Sequence, residues 1–188
     1  MLDGSSAKYR RQSPRDPLKD IPLPHRPNFF FAVTFALFAL TGTCRAETLF
    51  GRVVKIADGD TLTILDGQAV QHKVRLSGID APEKAQAFGK VSRQHLAKLT
   101  FGKQVTVETS KKDRYKRNVG KVLVDGKDAN LAQIEAGLAW HYREYAREQA
   151  LEDRKSYAAA EESARVAQRG LWRDAQPTPP WAYRKSRR

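Results

Sequence analysis

The sequence predicts an α+β, mainly β fold: a five-stranded OB-type β-barrel with about three helices. Two observations carry this. Five short segments read as strands, most of them alternating apolar and polar residues, and one helical pattern lies between the third segment and the fourth. With 188 residues, 40% of them hydrophobic, the chain has material for the core of one ordinary domain plus accessory segments.

The first three strands are expected at Leu49–Ala57, Asp60–Leu65 and Ala69–Ser77. Asp58-Gly59 and Asp66-Gly67 separate them and are expected to form tight hairpin turns with positive φ. In the third strand Val70, His72, Val74 and Leu76 share one face, while Gln71, Lys73, Arg75 and Ser77 share the other. Phe88–Leu99 reads as a helix, with Phe88, Val91, His95 and Leu99 on one side, and Gly102 breaks it. Lys103–Thr109 and Asn118–Val124 supply the fourth and fifth strands, the latter ending at Asp125-Gly126. A helix capped by Asp128 runs through Leu131 and Ile134 to Gly137. Another covers about Glu148–Arg169 through Tyr157, Ala160, Ala164, Ala167 and Leu171, with Gly170 expected as its C-terminal cap. From Asp174 a Pro-rich, basic tail is expected to be extended, lying on the domain or on a ligand.

Residues 1–46 are set apart as a leader. A polar, Pro-containing stretch precedes the twelve-residue apolar run Phe29–Leu40, followed by Thr41-Gly42-Thr43-Cys44-Arg45-Ala46. A bilayer crossing takes roughly 20 apolar residues, so the run fits the apolar part of a signal peptide cleaved after Ala46. An uncleaved anchor over residues 29–43 is the alternative. Export to the periplasm or the medium is the expected localisation. The domains expected are thus 1–46, 47–173 and 174–188.

The net charge of +13 and a pI near 10 point to a polyanionic partner. The basic excess persists when the leader is set aside. A single cysteine, Cys44, excludes an internal disulfide framework and a multi-cysteine zinc site. The four histidines are scattered without metal-ligand spacing.

Three segments gather polar groups near predicted strand ends: Asp58-Gly59-Asp60-Thr61, Arg75 through Glu83, and Asp113-Arg114-Tyr115-Lys116-Arg117. Each alone is an ordinary turn or solvated loop. Together they supply the parts of phosphodiester cleavage. A hard divalent cation takes carboxylate and carbonyl oxygens, which Asp60, Asp80 and the backbone of Ala81 offer. Glu83 is placed to accept a proton from water. Arg75 and Arg117 are candidates to clamp phosphate oxygens bidentately.

Asp-Gly-Asp-Thr, then Arg-x₄-Asp-x-Pro-Glu, then Asp-x-Tyr-x-Arg, in that order, resemble the staphylococcal nuclease (thermonuclease) family over about Leu49–Trp172. The resemblance implies a Ca²⁺-dependent endonuclease of low sequence specificity that acts on DNA and RNA and leaves 3′-phosphate and 5′-hydroxyl ends. It assigns Asp60, Asp80 and the carbonyl of Ala81 to calcium, Glu83 to the general base, and Arg75 and Arg117 to the phosphate. Tyr115 matches a tyrosine near the nucleotide, and Tyr142 is a looser match to a base-stacking tyrosine. A monomer without a stable protein partner is expected, with membrane contact only through a retained N-terminal segment. Ala81 stands where the family has threonine, and the loop after Glu83 is shorter than in the founding member. The alternative is a non-catalytic barrel that binds nucleic acid.

Overall fold

A computed structural model describes residues 47–187. The leader expected over residues 1–46, with its signal peptide or anchor, lies outside the described residues. Among the described residues no helix is long and apolar enough to cross a membrane.

The strands are β1 (Glu47–Ile56), β2 (Thr61–Leu65), β3 (Gln71–Leu76), the two-residue β4 (Ile79–Asp80), β5 (Gln104–Lys112), β6 (Asn118–Val124), β7 (Lys127–Asp128) and β8 (Trp140–His141). The helices are α1 (Gly89–Thr100), α2 (Ala129–Glu135), α3 (Leu151–Val166) and α4 (Pro180–Lys185), with 3₁₀ turns at Arg143–Glu148 and Gly170–Arg173. The five long strands are those expected from the sequence.

β1 serves two neighbours. Its second half pairs antiparallel with β2, its first half pairs with β5, and a register shift between Val53 and Lys55 separates the halves. β2 pairs with β3 and β5 with β6, and β3 then meets β6 in parallel, Val74 opposite Asn118. That last pairing closes the sheet into a five-stranded mixed barrel. Its interior holds Val53, Leu62, Ile64, Val74, Leu76, Val107 and Val122, with Leu96 of α1, Ile134 of α2 and Tyr157 of α3 packed into the same core.

Helix α2 locks the closure. Asp128 caps it by accepting from the backbone N–H groups of Asn130 and Leu131, and its second carboxylate oxygen accepts from the Tyr157 hydroxyl at 2.7 Å. Asn130 is fully buried: its Oδ1 accepts from Val122 N, and its Nδ2 donates to Ser77 O at 3.0 Å. It thereby joins the chain leaving β3 to β6.

Several local expectations change. Neither Asp-Gly pair takes positive φ; Ala69 does so instead at 61°. Gly59 serves a close approach, since an added Cβ would lie 1.9 Å from Ser92 Oγ. The buried face of α1 is Gly89, Ser92, Leu96 and Thr100, while Val91 is exposed. Polar residues hold that face because Gln133 of α2 bridges it, donating to Gly59 O at 2.5 Å and Ser92 O at 3.1 Å while its Oε1 meets His95. Helix α3 ends at Val166 with Gln168 in the left-handed region. Gly170 does not cap it; it allows contact with Gly137, whose carbonyl accepts from Leu171 N at 2.8 Å. The tail is not simply extended: Pro180 opens the short helix α4, which lies on the domain.

Candidate active site

All the residues singled out in the sequence line one cleft of about 880 Å³ on the side of the barrel: Asp60, Arg75, Asp80, Ala81, Glu83, Tyr115, Arg117 and Tyr142.

The floor is built by strand ends. Thr61 is in register with Arg75, and the ladder ends with Leu76 N donating to the carbonyl of Asp60 at 2.8 Å. Asp60 therefore sits at the entry of β2, beside the guanidinium projecting from β3. Its carboxylate accepts from Ala81 N at 2.8 Å and from the Thr61 hydroxyl at 3.0 Å, and it pairs with Arg75 Nη1. Arg75 Nη2 donates to Asp80 Oδ1 at 2.9 Å. Asp80 is completely buried and is held in β4, which pairs with β8 so that Asp80 lies opposite Trp140. The same pairing delivers Tyr142, whose N–H donates to Gly78 O.

Asp58, Asp60 and Asp80 thus crowd around Arg75. Burial raises the Asp80 carboxyl above its ordinary range despite its bonds to arginine. Burial also pushes Asp58 up to about 7, helped by the negative charge of Asp60. For Asp60, burial opposes ionisation, but the Arg75 charge and the Ala81 N–H outweigh it and hold the carboxyl below its usual range. Burial works against Arg75 as well, and the Asp60 and Asp80 charges more than restore its proton affinity.

The opposite wall comes from the β5–β6 hairpin. Asp113 Oδ1 accepts from the N–H groups of Tyr115 and Arg117, and Lys116 takes φ 61° to complete the turn. Asp113 Oδ2 then receives Arg117 Nε at 2.7 Å, which aims the guanidinium at Thr61 Oγ1, 3.5 Å away. Tyr115 is 63% exposed at the rim, with the guanidinium groups of Arg114 and Arg117 at 4.8 and 5.4 Å from its ring centre.

Glu83 lies where the chain turns into α1. Its carbonyl accepts from Gln86 N, and an added Cβ on Gly89 would lie 1.9 Å from that carbonyl, so the turn requires glycine there. The Glu83 carboxylate receives Arg184 Nη1 of α4 at 2.8 Å. Arg184, which lines the cleft, and Trp181, which stacks on the cleft residue Tyr142, were missed by sequence reasoning; aromatic residues amid proline and arginine were the available signal. Gln133 and Asn130, which fix the turn before Asp60 and the exit of β3, were missed too, because nothing local marks a polar helix residue as buried.

The family model described as "Staphylococcal nuclease homologue" matches residues 73–174, from β3 to the end of the second 3₁₀ turn. The chain belongs to the staphylococcal nuclease family. It is 39% identical over 149 residues to an uncharacterized endonuclease of Haemophilus influenzae, covering 79% of this chain and 80% of that protein. It is 37% identical over 153 residues to an uncharacterized endonuclease of Escherichia coli O157:H7, covering 81% and 95%. A micrococcal nuclease of Shigella flexneri is 40% identical over 145 residues, covering 72% and 80%. The family match begins inside β3, so Asp60 is placed in the cleft by the barrel itself, through β2 and Arg75. In this family member the short segment after Glu83 is two successive turns running directly into α1.

The donor set of the cleft suits a hard divalent cation. Two buried aspartates share Arg75, with the Asp58 carboxyl near Asp60 and Arg184 as a second guanidinium at Asp80. Among the described residues no group of three or more His, Cys, Asp or Glu side chains is arranged to hold a metal.

Proposed function

We propose that this protein is a calcium-dependent endonuclease that hydrolyses phosphodiester bonds of DNA and RNA with low sequence specificity, giving 3′-phosphate ends. The observation that carries this reading is the convergence on one cleft of two buried aspartates, a partly exposed glutamate and two arginines fixed from behind by their own carboxylate partners. The names of the related proteins, endonuclease and micrococcal nuclease, agree with it.

Asp60, Asp80 and the Ala81 carbonyl would hold the cation, whose positive charge would polarise the phosphoryl group and favour ionisation of a neighbouring water. Glu83 takes the proton from the attacking water. Arg75 and Arg117 face the phosphate and strengthen their hydrogen bonds as charge accumulates on its oxygens. Asp113 and the Asp60–Asp80 pair keep those guanidinium planes in place, so little reorganisation is needed when substrate arrives. Tyr115 and Tyr142 flank the cleft as surfaces for bases. The apolar run Phe29–Leu40 supports export.

The test is digestion of single-stranded DNA and of RNA by the purified protein with calcium, with magnesium and with chelator. Cleavage with calcium that chelator and Glu83→Gln both abolish is expected. Product ends should require a 3′-phosphatase before polymerase extension. Ends that extend without it would refute the 3′-phosphate assignment, and salt-sensitive binding without cleavage under any metal would leave a binding barrel only.

A further inference from the structure

The C-terminal segment turns back over the cleft and meets two of its working surfaces at once. Its anchors are few and specific. Gln86 Nε2 donates to Thr178 O at 2.6 Å, and the Tyr183 hydroxyl donates to Ala85 O at 3.3 Å. The Trp181 ring stacks on Tyr142, with centres 5.4 Å apart and planes 22° from parallel, and meets Trp140 edge-on at 5.5 Å. From the next turn of α4, Arg184 reaches the carboxylates. Nη2 donates to Asp80 Oδ2 at 2.8 Å, and Nη1 donates to Asp80 Oδ1 at 3.1 Å and to Glu83 Oε1 at 2.8 Å.

Both oxygens of Asp80 are therefore engaged by arginine, Oδ1 by Arg75 and Arg184 together. Arg75 belongs to the barrel floor, but Arg184 comes from a six-residue helix near the chain end. A guanidinium stays protonated throughout the working pH range, so pH does not release it. A bidentate fork on a buried carboxylate is among the stronger charge-assisted contacts, and tethering keeps the local concentration of the guanidinium high. A helix this short is marginal without tertiary contacts, so the segment opens at a small cost once those contacts are outcompeted.

We propose that α4 is a self-occluding strap: Arg184 stands in for the cation at Asp80 and ties up the base Glu83, and Trp181 covers the ring face of Tyr142 that a nucleobase would use. Cation and polynucleotide then bind in competition with the chain's own C-terminal segment. The two ligands cooperate because either one, by lifting the strap, frees the position of the other. This inference rests on the cleft being the cation and nucleotide site described above.

Calcium affinity, measured by titration calorimetry in the absence of nucleic acid, tests it on the full-length protein. Arg184→Ala is expected to bind calcium at least tenfold more tightly than wild type. Trp181→Ala, which leaves every carboxylate contact chemically intact, is expected to shift affinity in the same direction by a smaller factor. Wild-type tryptophan fluorescence should change as calcium is added, and Trp181→Ala should lose most of that change. Equal or weaker calcium binding by both variants would overturn the strap, as would failure of all three proteins to bind calcium. DNA cleavage with unchanged calcium affinity in both variants would sink the strap and spare the nuclease reading. Tighter calcium binding by the variants with no cleavage by any of the proteins would do the reverse.

Discussion

The two sides of the cleft are built on different principles. On the barrel side, Asp60 and Asp80 are 6% and 0% exposed, and each is held by strand pairing together with an ion pair to Arg75. On the rim, Glu83 and Arg184 have side chains 38% and 39% exposed and hang from a turn and a terminal helix. Charges that must stay at fixed separations stand where the backbone ladder and low polarity hold them. Glu83 and Arg184, the groups proposed to exchange a proton and a partner, stand where water reaches them. Substitutions on the barrel side should therefore register in stability as well as turnover, and those on the rim in turnover or binding alone.

Arg75→Ala should break the comparison most severely. Removing one partner of a buried ion pair typically costs about 3–5 kcal/mol, and here it strands Asp60 and takes from Asp80 one of its two arginines, so urea denaturation should show a loss on that scale together with loss of cleavage. A loss below about 1 kcal/mol would mean the floor is as solvated as the rim. Glu83→Gln should lower turnover by roughly 10²- to 10⁴-fold while the unfolding midpoint stays near wild type. A large fall in stability would place Glu83 with the floor instead.

Asp58 sharpens the boundary between the two sides. Its carboxyl titrates near 7 in the fold against about 3.8 when unfolded. Between those values the folded state binds the extra proton, so without metal Asp58 lowers stability as pH rises from about 4 to 7. The slope it contributes is at most about 1.4 kcal/mol per pH unit, and Asp58→Asn should remove that contribution. An unchanged slope in denaturation curves taken across this range would show that Asp58 is not buried against Asp60 in solution. The smallest effect is expected from Tyr115→Ala at the exposed rim. It should weaken single-stranded DNA binding by about 1 kcal/mol, roughly fivefold, with no change in thermal midpoint. A shift in that midpoint would put Tyr115 among the structural residues.

Much of the barrel was legible because its determinants are local. Asn118–Val124 is a strand with alternate residues buried, and Asp125-Gly126 is the positive-φ turn that ends it. The Asp128 cap was equally plain. The carboxylates and arginines that line the cleft stand out in the sequence for another reason: they cluster at strand ends, which the fold brings together. What escaped were faces and long-range contacts. Val91 fits the apolar face of an isolated helix, but α1 turns Ser92 and Thr100 inward because Gln133 donates to Ser92 Oγ, the Thr100 hydroxyl donates to Leu96 O, and Gly59 leaves room for Ser92. Gly170 looks like a helix cap in sequence, yet its neighbour is Gly137, more than thirty positions away.

The sequence by itself determined the succession of strands along the chain, the turn after β6, the capped start of α2 and several of the polar groups that line the cleft, since each depends on a few adjacent residues and their periodicity. Tertiary structure alone decided that β3 meets β6 in parallel, that Asn130 and Gln133 are buried, and that the C-terminal segment lies across Asp80 and Glu83. The physical reason is that these contacts join residues distant in the chain. Their free energy comes from burial and paired charge, which arise only once the barrel has closed.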